Sequence, residues 1–149
     1  MTLPVPRVLS PAPRDAWRRV LGADPDAVVT QTPEWLDCLC ETRGYVDASR
    51  LYEVPDGRTM VLPMAGRRWA GARIAEESWP YGWGYGGVLV AGGQLRPREA
   101  TVVLADLVRR PVIRAGLVPV PLTAATWQAA AWPGIHRVPY LTQILDLEG

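Results

Sequence analysis

Lysine is absent from this chain, whose sixteen basic residues are all arginine. Schiff-base chemistry and a lysine general base are therefore excluded within it. Cysteine is scarce. Cys38 and Cys40 stand two apart in a predicted helix and point to different faces. With His136 the single histidine, they cannot build a zinc site; they read as buried free thiols of a cytoplasmic protein. Serine is confined to Ser10, Ser49 and Ser78, and none sits in a Gly-x-Ser-x-Gly turn. No run of about eighteen uninterrupted apolar residues occurs, which excludes a membrane-spanning helix. The opening stretch to Arg14 carries Pro4, Pro6, Pro11 and Pro13 and no continuous apolar core, so it does not read as a signal peptide. The net charge of +1 gives no electrostatic case for a nucleic-acid or membrane-surface partner.

What is present is a chain of 149 residues, 48% hydrophobic and 21% charged, enough for one globular domain over 1–149 with a real core. Arginine without lysine, beside abundant Ala, Gly, Pro and Val, matches the coding bias of a GC-rich bacterium. Ser10, Pro11 and Pro13 predict a helix start, with Trp17, Val20 and Leu21 as its apolar face and Gly22 and Asp24-Pro25-Asp26 as its stop. Thr32-Pro33-Glu34 predicts a second helix: an N-cap, a proline at the first helical position and an acid in the first turn. That helix runs through Trp35, Leu36 and Leu39 to about Arg43, and Gly44 stops it.

The period then changes. Leu51–Val54 and Met60–Met64, joined by Pro55-Asp56-Gly57, read as a β-hairpin. Further strands are expected over 72–76 and 86–90. Ala100, Val103, Leu104 and Leu107 place a helix face over 97–109. A strand over 112–118 makes a parallel β-α-β unit with that helix. A helix over 122–132 and a last strand over 137–147 complete a mixed α/β (α+β) order with no repeat or linker.

The segment Ser78-Trp79-Pro80-Tyr81-Gly82-Trp83-Gly84-Tyr85-Gly86-Gly87-Val88-Leu89-Val90 stands out. Flat side chains beside residues without a Cβ suit a groove wall where a ligand approaches backbone. Trp79, Tyr81, Trp83 and Tyr85 either stack on a sugar, peptide or nucleobase or pack alternately into the core. Gly86 and Gly87 mark either a bulge open to substrate or a strand start.

Four segments in order resemble the FemAB-like and BioF2-like acyltransferases of the GNAT superfamily. They are Gln31-Thr32-Pro33-Glu34-Trp35-Leu36, Val61-Leu62-Pro63-Met64, the strip from Pro80 to Val90, and Tyr140-Leu141-Thr142-Gln143-Ile144-Leu145-Asp146-Leu147. The resemblance runs from about Val8 to Gly149 and covers only the N-terminal half of a tandem pair. It implies a GNAT-like, mixed, largely antiparallel sheet flanked by helices. It further implies N-acyl or aminoacyl transfer to an amine, with Gln31, Trp35, Tyr81, Trp83, Tyr85, Gly86 and Gly87 on the acceptor side of the cleft. The acceptor would be a small molecule, a peptide or a sugar. Acyl-CoA would belong to the assembled enzyme, and the partner would be a second GNAT-like half or another copy of the chain. The alternative is a non-catalytic binding or dimerising module.

The Gln/Arg-x-x-Gly-x-Gly/Ala loop that grips acyl-CoA in GNAT enzymes is missing. Its place is taken by Ala91-Gly92-Gly93-Gln94-Leu95-Arg96, where Gly92 and Gly93 are either weak phosphate contacts or an ordinary tight turn. Pro33 and Glu34 stand where family members using nucleotide-linked precursors carry a basic residue, which argues against a UDP-linked substrate. Glu76 and Glu77 are expected at a solvated strand end, facing opposite ways, rather than as a general base. His136 reads as a surface or strand-edge residue, and Arg67-Arg68 and Arg109-Arg110 as solvated ends of elements. Asp146 falls in the last expected strand with no partner identified.

Overall fold

A computed structural model describes residues 5–143. Alternation along three strands sets the architecture. In the first sheet, ordered β1-β3-β4-β7, strands β1 (Arg7–Leu9), β3 (Arg50–Glu53), β4 (Thr59–Leu62) and β7 (Leu89–Val90) are all antiparallel to their neighbours. Leu51, Val61 and Leu89 lie side by side on one face, against Trp17, Val20, Leu36 and Leu39. These last residues belong to α1 (Arg14–Ala23) and α2 (Pro33–Arg43). Tyr52, Met60 and Val90 share the opposite face with Val103, Leu107 and Trp127 of α3 (Pro97–Val108) and α4 (Ala124–Ala130). Because successive side chains point to opposite faces, one sheet carries two cores.

The second sheet, ordered β2-β5-β6-β8, joins β2 (Val46–Asp47), β5 (Ala65–Trp69), β6 (Ala72–Ser78) and β8 (Arg114–Leu117). Strand β8 pairs with β6 in parallel, and the other pairs are antiparallel. The mixed α/β class, largely antiparallel, is as read, and so is the parallel strand following α3. The division into two sheets is a correction. Pro63 has no amide to donate to a ladder, so β4 stops at Leu62 and the chain enters the second sheet as β5.

The helix starts and stops follow the sequence closely. Thr32 Oγ1 accepts the Trp35 amide at 3.3 Å, and Gly44 closes α2 at φ +67°. Three other expectations change. Of the strand expected over 86–90 only Leu89–Val90 joins a ladder, although Gly86 bridges in parallel to Pro119. No strand forms over 137–143, and residues 144–147 of that expectation, Asp146 included, lie outside the described residues. Cys38 is exposed and Cys40 half-buried, because the α2 face that packs inward is carried by Leu36 and Leu39.

Candidate functional site

The aromatic–glycine strip is the crossover from β6 in one sheet to β7 in the other. Several of its polar groups hold it to the stretch that leads into α2. Trp79 is fully buried and its indole N–H donates to the Thr30 carbonyl at 2.7 Å. The Thr30 hydroxyl donates to the Tyr85 carbonyl, and the Trp35 indole to the Trp83 carbonyl at 3.1 Å. Trp35 and Trp83 meet edge to face, ring centres 6.2 Å apart at 71°, and the Arg43 guanidinium lies 5.6 Å from the Trp83 ring centre.

Gln31 is the centre of this staple. Its side-chain N–H groups donate to the carbonyls of Gly86 (3.0 Å) and Gly87 (3.4 Å), while its Oε1 accepts the Val28 amide at 3.1 Å. Its own carbonyl accepts the indole N–H of Trp17 at 2.9 Å. Gln31, Trp35, Trp83, Gly86 and Gly87 are thus brought together, chiefly by bonds to one another. Gly87 also donates its amide to Ser78 Oγ at 3.1 Å. Tyr81 does not join them: it is 90% exposed at the turn. The hydroxyl of Tyr85 lies 2.9 Å from that of Thr142.

Beside the staple lies a half-open groove of about 570 Å³ that reaches Gln31 and Gly86. Val88, Val90, Leu95 and Val120 form its apolar part; Asp24, Asp26, Arg96, Thr123 and Thr126 supply its polar part. Asp24 is fixed by accepting the Asp26 amide on Oδ1 (3.0 Å) and the Val90 amide on Oδ2 (2.8 Å). A carboxylate offers about four acceptor sites, so this one keeps capacity for a cationic donor. Asp24 and Asp26 went unnoticed in the sequence because Asp-Pro-Asp reads as a helix stop. The bond from Asp24 to an amide 66 residues away has no local signal.

The Gly92-Gly93 turn abuts this groove without supplying a phosphate cradle. The Gly92 amide donates to the Ala23 carbonyl (2.9 Å) and the Gly93 amide to the Val90 carbonyl (2.8 Å). The first turn of α3 already holds an anion, since buried Glu99 accepts the Arg96 amide at 2.8 Å and pairs with Arg58 at 2.7 Å.

Glu76 corrects the sequence reading, being 0% exposed rather than solvated. Arg110 grips it with two bonds, Nε to Oε2 at 3.0 Å and Nη2 to Oε1 at 2.9 Å, so Arg110 is no free end either. Arg73 adds a third bond at 2.9 Å. Buried Arg50 stands 3.9 Å from Glu76 and donates from Nε to Asp106 at 2.7 Å, where the Tyr52 hydroxyl also donates at 2.8 Å. Burial pushes the Glu76 carboxyl up, but the Arg110 and Arg73 hydrogen bonds outweigh it and hold the group below its ordinary range. Burial, then the Asp106 charge, drives the Tyr52 phenol well above its ordinary value. This cluster ties α3 to the sheets through Asp106 and commits its carboxylates to arginines, although buried Arg50 Nη1 has no hydrogen-bond partner within it.

His136 is exposed, as are Arg67, Arg68 and Arg109. Among the described residues no group of three or more His, Cys, Asp or Glu side chains is placed to hold a metal ion, and no helix is long and apolar enough to cross a membrane. No family model, curated protein or solved structure matches the chain.

Proposed function

We propose that this chain is an acceptor-binding module: its groove takes a small molecule with an apolar body and a cationic amine. Acyl transfer to that amine would occur when a second, donor-binding GNAT-like polypeptide meets it, in the cytoplasm. The observation that carries the reading is the placement of Asp24 and Asp26 on a groove whose apolar part is Val88, Val90, Leu95 and Val120. A buried hydrocarbon body supplies binding energy, while a carboxylate oriented by two backbone amides selects a positive end.

The turn at Gly92-Gly93 supports assigning the donor to a second polypeptide. Both amides are consumed internally and Glu99 occupies the adjoining helix start. An acyl-CoA pyrophosphate therefore needs donors from elsewhere. For transfer, the bound ammonium first gives its proton to a base, and the free amine nitrogen then attacks the thioester carbon and displaces the CoA thiol. That requires proximity, an oxyanion donor and a base, not an enzyme nucleophile.

Phenethylamine and phenethyl alcohol, which share a body and differ in charge, test the groove. Titration followed by NMR should move the Val88, Leu95 and Val120 amides with the amine and much less with the alcohol. Asp26→Asn should weaken amine binding roughly tenfold. Equal binding of the two probes would sink the reading. Titration calorimetry with acetyl-CoA tests the second part: measurable binding to the isolated chain would return the donor site to this polypeptide.

A further inference from the structure

The near-zero net charge conceals a segregated surface at the far end of the second sheet. Residues 57–75 contain no acid, and β5 ends in Arg67, Arg68 and Trp69 just ahead of the Ala70-Gly71 turn into β6. The strand register skips at Ile74, which faces no residue of β5 while Arg67 pairs with Ala75 and Arg68 with Arg73. Such a bulge increases local twist and re-aims the tip beyond it. Trp69 is 73% exposed there, and Ile113, whose amide donates to the Ile74 carbonyl at 2.9 Å, is 88% exposed on the other side of β6. Two large apolar side chains thus project at one end of the sheet. The acids nearest them along β6 are engaged: Glu76 by Arg73 and Arg110, and Glu77 by Arg114 at 3.1 Å. Arg67 stacks 5.2 Å from the Tyr45 ring centre and donates to its hydroxyl, which leaves its charge uncompensated, and Arg68 meets no acid among the described residues.

We propose that this tip is a docking site for the surface of an anionic phospholipid bilayer. With this end of the sheet meeting the bilayer, Trp69 on β5 and Ile113 on the other side of β6 would both reach the headgroup level, while Arg67 and Arg68 pair with lipid phosphates. An indole has an apolar body and a polar N–H suited to that layer, and arginine keeps its head in the polar region while its stem covers apolar surface. Local charge complementarity selects the anionic bilayer. An aliphatic Ile113 as the second exposed apolar side chain at this end of the sheet, in place of a second stacking ring, favours lipid over single-stranded nucleic acid. This surface is separate from the groove and does not depend on its proposed role.

Co-sedimentation with vesicles containing about one-third phosphatidylglycerol in phosphatidylcholine tests it. Binding is expected to those vesicles and not to pure phosphatidylcholine, and to weaken as salt rises from about 0.05 to 0.5 M. Arg68→Glu and Trp69→Ala should each lower partitioning about fivefold or more. Both positions are exposed, so the circular dichroism spectrum, and for Trp69→Ala amine binding in the groove, should stay as in the parent chain. Absence of sedimentation with the anionic vesicles, or sedimentation that neither substitution changes, would overturn the proposal. So would capture of a single-stranded oligonucleotide through Arg68 and Trp69 with vesicles ignored, which would assign the tip to nucleic acid.

Discussion

Gly86 lies so close to Ser78 that a Cβ on it would stand 2.4 Å from the Ser78 hydroxyl oxygen and 2.6 Å from the Ser78 carbonyl oxygen. This contact closes the aromatic–glycine strip onto the strand it left, and backbone cannot yield as a flexible side chain would. Gly86→Ala is therefore expected to cost about 1–3 kcal/mol in urea denaturation. Gly116→Ala in β8, where an added Cβ meets nothing within 4 Å, serves as the control and should fall within about 0.5 kcal/mol of the parent. Equal losses at the two positions would show that the close approach to Ser78 is not what position 86 requires.

Gln31 holds the other side of the same strip. Gln31→Leu removes the donors to Gly86 and Gly87 and the acceptor for Val28 while keeping much of the volume. Leaving those buried backbone groups unpaired should cost about 1–3 kcal/mol. Hydrogen exchange at the Val28 amide should quicken more than exchange in α3, which Gln31 does not touch. A uniform acceleration would mean global destabilisation without a local role.

Local chemistry made the helices legible: Thr32-Pro33 starts α2 and Gly44 stops it within the residues read from sequence. The sheets were less legible because pairing is non-local. Nothing near Arg114 announces a parallel partner at Ala75, although Pro63 within an apolar run was a usable sign that β4 ends there. The aromatic–glycine strip was visible as unusual, but its use was not. The indoles of Trp17, Trp35 and Trp79 reach carbonyls that only the folded chain brings near. Glu76 and Glu77 are indistinguishable in sequence. Tertiary structure alone decides that Glu76 faces Arg50, Arg73 and Arg110 while Glu77 turns outward to Arg114.

That asymmetry between two adjacent carboxylates is measurable. Glu76→Gln leaves three arginines without their shared anion and should cost about 3–5 kcal/mol near neutral pH. Glu77→Gln touches only the partly exposed pair with Arg114 and should cost about 0–1 kcal/mol. The Glu76 carboxyl is held below its ordinary value of 4.5 in the folded chain. Its contribution is therefore complete above that pH and is lost as the pH falls through the lower folded value. The acid limb of the stability–pH curve should flatten in Glu76→Gln and persist in Glu77→Gln.

Tyr52 gives the alkaline counterpart, with the opposite sign. Burial and the neighbouring Asp106 charge raise its phenol well above the ordinary value of 10.0. Its hydroxyl must stay protonated to donate to Asp106 at 2.8 Å. Below pH 10 both folded and unfolded chains hold the proton, so the stabilisation is fully present. As the pH rises past 10, the unfolded phenol ionises first, the unfolded state gains, and the stabilisation drains away until the folded phenol titrates. Tyr52→Phe removes the titrating group and one hydrogen bond. It should cost about 1 kcal/mol at neutral pH, yet its stability should fall less steeply than the parent's above pH 10. Parallel alkaline limbs in the two proteins would place the titration elsewhere and leave Tyr52 a packing residue only.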